Sequence, residues 1–213
     1  SACEKGQRWE IALSLVERMR KTGLESNVIT QSAIISACDK GAQWTRALQV
    51  LACCWSAQLE ANTVGLGAAI SACDKGRHWE WALWLLGELK RRDLEPSIVA
   101  CNAAISACAK GSNWAAALAL LRDGLECCLE PGAITYSATL GACAVAGRWE
   151  SALGLLQEML VRAIDPQVDA YAAAVRASEQ GFCGQSALEA LKAAQQEGLL
   201  CLEGAGRKHF VGC

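Results

Sequence analysis

The sequence predicts an all-α fold, a right-handed α-solenoid of antiparallel helix-turn-helix repeats, each 35 residues long. The segment 36–41, SACDKG, has copies that begin at residues 1, 71 and 106 and looser copies at 141 and 176. A constant period of this length is typical of proteins in which each repeat packs only on its neighbours. The same step separates five tryptophans and all three prolines: Trp9, Trp44, Trp79, Trp114, Trp149, Pro96, Pro131 and Pro166.

Each repeat is expected to hold two helices. In the repeat 28–62, apolar residues recur with helical spacing over 28–40 and again over 43–56. Gly41 follows the first segment, and a left-handed conformation at this glycine is expected to end the helix. Later repeats are joined through proline, which disfavours helix at the residue before it. The period then predicts first helices over 28–40, 63–75, 98–110, 133–145 and 168–180, and second helices over 8–20, 43–56, 78–91, 113–126, 148–161 and 184–197.

The repeats predict one array over residues 1–202, followed by a tail over 203–213. The array divides into a partial repeat 1–27, the repeats 28–62, 63–97, 98–132 and 133–167, and a degenerate repeat 168–202. In the degenerate repeat Gly184 replaces the tryptophan and Ser178 the cysteine. We expect it to cap the array or to be the edge of a longer one. Because the chain starts within a repeat and without methionine, we expect a fragment or a processed form.

Composition limits the classes of protein to which the chain can belong. Hydrophobic residues make up 53% of the sequence, enough for a continuous core, and the net charge is −2. This balance is unlike that of a strongly basic nucleic-acid-binding protein. No apolar run reaches the roughly 18 residues of a membrane helix, so no membrane partner is expected.

The cysteines are interpreted as packing residues. There are thirteen, and their spacing provides neither CxxC zinc pairs nor neighbouring disulfide partners. Small apolar neighbours and a fixed position in the repeat favour burial, in a reducing compartment and without a metal ion. Cys53, Cys54, Cys127 and Cys128 also lack ligand spacing. The repeated position is occupied by Cys3, Cys38, Cys73, Cys108 and Cys143.

Two groups of tryptophans are distinguished by the period. The periodic ones are expected to wedge between helices of adjacent repeats. Trp55, Trp81 and Trp84 fall outside the period. We interpret them as variations in packing, with a ligand surface as the alternative.

The sequence offers no catalytic constellation. It has two histidines: His78, expected at the surface, and His209 in the tail. The HxE and CxxC segments of zinc deaminases are missing, and so is a phosphate-binding loop of the GxxxxGK[ST] type. We therefore predict that these residues form no enzyme and need no cofactor.

A helical hairpin of 35 residues resembles the pentatricopeptide repeat family. The segment 134–140, ITYSATL, is similar to that family's opening run, 152–159, ALGLLQEM, to its second helix, and 129–131, LEP, to its closing run. The resemblance extends from residue 1 to about residue 202, and the tetratricopeptide repeat is excluded by its period of about 34. What it implies is binding of single-stranded RNA, one base per repeat, on the concave face formed by the first helices.

The resemblance also implies roles for individual positions. A second residue of the first helix clamps bases, a late lysine meets phosphate, and two further positions select the base. Asp169, Val145 and Gln180 depart from the pattern. The implied clamp residues are Ile29, Val64, Val99 and Ile134, and the implied phosphate contacts are Lys5, Lys40, Lys75 and Lys110. The implied base-selecting pairs are Ser32 with Asn62, which resembles an adenine-selecting pair, Gly67 with Ser97, Asn102 with Gly132, and Ser137 with Gln167.

Simpler roles exist for these residues. An aliphatic residue at a helix start is commonly a packing group, and a lysine near a helix C-terminus stabilises the helix dipole without any ligand. The first hypothesis is a protein that binds single-stranded transcripts in a mitochondrion or plastid and acts in RNA processing, stabilisation or translation. The alternative is a helical scaffold whose concave face binds a protein partner.

Overall fold

The computed structural model describes residues 27–56, 62–126 and 131–180, together with residues 9–11, 14 and 18, which are helical. Within the three longer segments the chain forms helices of 13 residues each. Short turns join the two helices of a repeat, and the described links 92–97 and 162–167 each begin with a turn and continue as irregular chain to the next repeat. The helices are α1 (Val28–Lys40), α2 (Trp44–Ser56), α3 (Thr63–Lys75), α4 (Trp79–Arg91), α5 (Ile98–Lys110), α6 (Trp114–Glu126), α7 (Ala133–Val145), α8 (Trp149–Val161) and α9 (Val168–Gln180).

The helix boundaries agree closely with the prediction. The first helices of the repeats, α1, α3, α5, α7 and α9, begin and end at the predicted residues. The second helices begin one residue later than predicted, each at a tryptophan. The residue before the tryptophan lies outside the helix; Asn113, for example, accepts a 3.2 Å hydrogen bond from Ala116 N. The helix predicted over 184–197, most of the one over 8–20, and the tail lie outside the described residues.

The chain divides into two compact units, residues 1–111 and 112–213. In unit 1 the first helices α1, α3 and α5 pack side by side. Helix α2 packs against α1 and α3, and α4 packs against α3 and α5. First and second helices therefore form two layers, with the core between them.

Unit 2 repeats this arrangement with its own core. Helices α7 and α9 pack side by side, α8 contacts both, and α6 packs on α7. Leu121 of α6, Tyr136 and Leu140 of α7, and Leu156 and Met159 of α8 are buried together. The apolar stripes of the sequence thus lie where the two layers meet.

The repeated cysteines are core residues, as predicted. Cys38, Cys73, Cys108 and Cys143 are fully buried, and all four are free thiols. Burial raises the pKa of Cys73 to about 12, and it raises the pKa of the other three to about 11. Such thiols stay protonated at neutral pH and behave as small apolar groups. Cys3, Cys127 and Cys128 lie outside the described residues.

The turn after the first helix differs from the prediction. Gly41 has φ −83°, outside the left-handed region, and the residue after it, Ala42, has φ 52° instead. The same pattern follows α3 and α5, where Arg77 and Ser112 have φ 61° and 59°. The glycine is therefore not required for its backbone conformation.

A tryptophan of the preceding repeat explains the glycine. A Cβ atom placed on Gly76 would lie 2.8 Å from Cγ of Trp44, and one on Gly111 would lie 2.8 Å from Cγ of Trp79. Trp9 approaches Gly41 in the same way. These contacts confirm that periodic tryptophans pack between adjacent repeats, and they leave no room for a larger residue at the turn.

Candidate nucleic-acid interface

Exposed aliphatic side chains mark the starts of the first helices. Ile29, Val64, Val99 and Ile134 are 76%, 64%, 69% and 73% exposed. Each is the second residue of its helix, and in unit 1 three such helices lie side by side. The packing role considered from the sequence therefore does not apply, because these side chains face solvent. In α9 the same position is held by exposed Asp169.

One turn along α1, the structure brings together the first proposed base-selecting pair. The Ser32 hydroxyl lies 2.8 Å from Asn62 Oδ1 and 2.8 Å from the Val28 carbonyl oxygen. Asn62 Oδ1 also accepts a 2.8 Å hydrogen bond from Gly65 N at the start of α3. The oxygen of Asn62 thus caps a helix, and its amide nitrogen donates to no described residue.

The other pairs offer less. Gly67 carries no side chain, and Ser97 caps α5 by accepting a 3.2 Å hydrogen bond from Ala100 N. Asn102 is half-buried and has a partner within the protein, and Gly132 precedes α7 without a side-chain cap. Ser137 is half-buried and Gln167 is exposed. Among the four proposed base-selecting pairs, Ser32 and Asn62 are thus the pair described with a hydrogen bond between the two side chains.

The lysines proposed to meet phosphate are engaged across repeats. Lys75 Nζ lies 3.0 Å from Asp39 Oδ1 and donates a 2.8 Å hydrogen bond to the Asp39 carbonyl oxygen. Lys110 Nζ lies 2.9 Å from both carboxylate oxygens of Asp74. Both lysine side chains keep about 40% exposure. Lys40 also has an interaction within the protein, and Lys5 lies outside the described residues.

This pairing was not predicted from the sequence, although a signal for it was present. The aspartate precedes its lysine by 36 residues, one repeat plus one residue. Where Ala109 replaces the aspartate, Val145 replaces the lysine one repeat later. The joint loss of both charges indicates that the two positions act as a pair.

His78 is half-buried instead of lying at the surface as expected. Its ring lies 3.8 Å from that of Trp44, measured between centroids. In the described segments no group of three or more histidine, cysteine or acidic side chains is placed to hold a metal ion. None of the described helices has the length and apolar character that a membrane crossing requires.

Family models place the chain among known proteins. The model described as the pentatricopeptide repeat domain matches residues 1–40 and 84–144, and the one described as the PPR repeat matches residues 134–164. Together they cover more than half of the sequence. The chain belongs to the pentatricopeptide repeat family. No curated protein sequence matches it significantly.

Solved structures of pentatricopeptide repeat proteins share the fold. The crystal structure of PPR10 from maize matches with a TM-score of 0.69 and 25% identity over 92% of this chain. PPR10 in complex with an 18-nt psaJ RNA element matches with a TM-score of 0.70 and 19% identity over 99% of this chain. The chain spans only 28% and 33% of those two chains.

A third structure is covered over nearly its whole length. The PPR domain of Arabidopsis thaliana protein-only RNase P 1, in complex with tRNA, matches with a TM-score of 0.73 and 12% identity. The match covers 84% of this chain and 94% of that domain. The predicted fold, an all-helical repeat of stacked helix pairs, is confirmed.

Proposed function

We propose that the chain binds single-stranded RNA along the starts of its first helices. The observation that carries the proposal is the series of exposed aliphatic side chains at one position of successive helices. Isolated apolar side chains are common on protein surfaces, but repetition of one exposed position gives a row with a period. Base faces are apolar and planar, so such a row offers a contact for one base per repeat.

The polar groups beside the row suit base edges. Asn62 keeps its amide donor while its oxygen is held by Gly65 N and the Ser32 hydroxyl. A fixed amide of this kind can donate to an acceptor on a base edge, as asparagine does with adenine. We infer that the repeat with Ser32 and Asn62 selects its base and that the repeats with Gly67 and Gly132 are permissive.

The lysines at the other end of the first helices are proposed to contact phosphate, which must compete with aspartate for each lysine ammonium group. Lys75 and Lys110 are paired but remain partly exposed. Surface ion pairs of this type contribute about 0–1 kcal/mol, so phosphate can compete for the ammonium group. We expect moderate affinity that falls as salt is added.

The cellular role is inferred from the family. Relatives of similar fold have been crystallised with RNA: PPR10 with a psaJ element and protein-only RNase P 1 with tRNA. We propose that this chain acts on transcripts of a mitochondrion or plastid, by occluding, presenting or stabilising them. Catalysis is assigned to none of its described residues.

The test is fluorescence anisotropy with a random pool of single-stranded RNA at low salt. Substituting Val64→Ser and Val99→Ser together is expected to weaken binding at least 10-fold, since contacts to bases contribute about 1–3 kcal/mol each. Both side chains are exposed, so the fold should persist. Val161→Ser is the control, because Val161 is 72% exposed at the end of α8. Equal binding by the double variant and the parent would contradict the proposal.

A protein-binding scaffold is the second candidate, favoured by the net charge of −2 and by the lysine–aspartate pairs. Replacing Lys40, Lys75 and Lys110 with glutamine separates the two. This removes positive charge without placing a carboxylate beside Asp39 or Asp74. RNA binding at low salt should weaken strongly and lose its dependence on salt, whereas a peptide held by the aliphatic row should bind with unchanged affinity.

A further inference from the structure

A groove on the second-helix layer of unit 2 has no part in the proposed RNA contact. It lies between α6 and α8 and has a volume of about 320 Å³. It is lined from α6 by Leu118, Leu121, Arg122 and Leu125, and from α8 by Ser151, Gly154, Leu155 and Glu158, whose carboxylate is paired with Arg162. Its volume falls within the range of roughly 300–1,000 Å³ that is typical of ligand pockets.

The same positions in unit 1 hold indole rings. Counting back two repeats, or 70 residues, Trp55 corresponds to Leu125, Trp81 to Ser151 and Trp84 to Gly154. The ring of Trp84 on α4 lies 5.5 Å from that of Trp55 on α2, in an edge-to-face arrangement, and 5.8 Å from that of Trp81. Trp84 thus bridges the two second helices of unit 1.

These tryptophans pack on one another, as expected from the sequence, and also form an exposed surface. Trp81 and Trp84 are 45% and 42% exposed. Such edge-to-face pairs contribute about 0.5–1.5 kcal/mol beyond the area that they bury. The space between the second helices of unit 1 is therefore filled by indole rings that stabilise one another.

The polar groups around the indole cluster recur around the groove. In unit 1, Arg92 Nε lies 2.7 Å from Glu88 Oε1, and its guanidinium carbon lies 5.1 Å from the centre of the Trp55 ring. In unit 2 the corresponding atoms of Arg162 and Glu158 lie 3.0 Å apart. Unit 2 therefore keeps the arginine–glutamate pair and lacks the three indole rings.

At Gly154 the groove is open down to the backbone of α8. A Cβ atom on Gly154 would meet nothing within 4 Å. At the rim, Arg122 is exposed and forms no ion pair or hydrogen bond with any residue that the structure describes. A groove lined by leucines, with a guanidinium group at its rim, favours an aromatic group next to a carboxylate.

We propose that this groove binds a tryptophan side chain of a partner protein, next to an acidic residue that pairs with Arg122. The incoming ring takes the place that Trp84 occupies in unit 1. This site is formed by second helices, whereas the proposed RNA contact is formed by first helices. The two sites are therefore independent, and neither test decides the other.

The probe is a peptide with one 5-fluorotryptophan followed by glutamate, titrated with the full chain and followed by ¹⁹F NMR. Saturable broadening of the fluorine signal is the expected result. The double variant Ser151→Trp, Gly154→Trp introduces two of the three indole rings of unit 1 and fills the groove, so broadening should disappear. Val161→Trp is the matched control, since it adds an indole to an exposed position of α8.

Two further variants test the proposal independently of that substitution. Replacing Ala52 with arginine, Trp55 with leucine, Trp81 with serine and Trp84 with glycine copies the groove lining of unit 2 into unit 1, and the bound peptide should rise from one equivalent to two. Arg122→Gln should weaken the glutamate peptide at least threefold and leave a peptide with glutamine in that place unchanged. Circular dichroism checks that each variant keeps its helices.

Other outcomes would overturn the proposal. Equal broadening by the parent and the filled-groove variant would place the aromatic contact elsewhere. If free fluoroindole binds as tightly as the peptide, and Arg122→Gln does not weaken binding of the peptide, the groove binds a small aromatic molecule and not a partner protein. Self-association of the chain that is lost on replacing Trp81 and Trp84 would make a second copy the occupant.

Discussion

At the residue scale, two glycines of unit 1 show how the neighbourhood decides the effect of a methyl group. A Cβ on Gly111 would clash with the Trp79 ring, whereas a Cβ on Gly87 would meet nothing within 4 Å. We predict that Gly111→Ala lowers the free energy of unfolding by about 1–3 kcal/mol, the range for overpacking. Urea denaturation followed by circular dichroism measures the change.

Gly87→Ala is the matched control for that substitution. It lies inside helix α4, where alanine is favoured over glycine by about 1 kcal/mol, so we expect stabilisation. A neutral result for Gly111→Ala would mean that the tryptophan moves aside at little cost. The sequence identified this glycine as a turn residue, but the reason for it, a ring from the preceding repeat, depends on contacts between repeats.

Because the thiols are buried, we expect the stability of the folded chain to fall at alkaline pH. The pKa of Cys73 is raised from 9.0 to about 12 by burial. Between these values the unfolded chain loses a proton that the folded chain keeps, so stability that is complete below pH 9 falls as pH rises. The slope is about 1.4 kcal/mol per pH unit for this thiol.

Cys73→Ala isolates the contribution of this thiol. From pH 9 to pH 10, under reducing conditions, the parent should lose about 1 kcal/mol more unfolding free energy than the variant, since the unfolded thiol is already half ionised at pH 9. The other cysteines, lysines and tyrosines titrate in both proteins and cancel in the difference. Parallel losses in the two proteins would show that Cys73 is less buried than the structure has it.

At the scale of the element, the start of a first helix combines structural and proposed binding roles. Asn62 caps α3 through its side-chain oxygen, and Asn113 caps α6 in the same way. We predict that alanine at either position costs about 1 kcal/mol of stability. Only Asn62→Ala should also weaken binding of an adenine-rich RNA, measured by anisotropy. Equal RNA affinity for both variants would leave Asn62 with a capping role alone.

The ends of the first helices carry a second prediction. Asp39→Asn with Asp74→Asn removes the carboxylates that engage Lys75 and Lys110. The freed lysine ammonium groups then bind phosphate without first leaving an aspartate carboxylate, so RNA affinity at low salt should increase several-fold. The stability of the fold should change by less than about 1 kcal/mol.

Asp93→Asn is the control for that pair of substitutions. Asp93 lies in the link between α4 and α5, at the opposite end of the helices from the two lysines. It changes the net charge in the same direction, one unit per substitution. If it raises affinity as much per charge as Asp39→Asn and Asp74→Asn do, the effect comes from overall charge and not from release of the lysines.

The period explains why helices were predictable and parts of the surface were not. It fixed the ends of α1, α3, α5, α7 and α9, since the same apolar positions recur every 35 residues. It also indicated Ile29 and its equivalents, but their exposure follows only from packing of the layers. The groove between α6 and α8 arises because the small residues Ser151 and Gly154 occupy positions that tryptophans occupy in unit 1. The sequence could not predict it, because the absence of a large side chain does not form a recognisable motif.

At the scale of the whole molecule, the balance of charge limits how RNA can bind. The chain has a net charge of −2, and three of the described first helices, α1, α3 and α5, end in lysines: Lys40, Lys75 and Lys110. For single strands, the logarithm of affinity falls against the logarithm of salt with a slope of about −0.7 per phosphate contact. Three contacts predict a slope near −2, and hence roughly 20-fold weaker binding at 200 mM than at 50 mM salt.

This slope distinguishes the source of the affinity. Anisotropy titrations at four salt concentrations measure it, and the variant with glutamine at the three lysines should bring it close to zero. A parent slope already near zero would mean that aliphatic and base contacts act without phosphate, as expected of a peptide-binding surface. A slope steeper than about −4 would require cations beyond these lysines. Because the lysines lie on first helices of unit 1 and the groove is formed by second helices of unit 2, a tryptophan peptide bound between α6 and α8 should leave the slope unchanged.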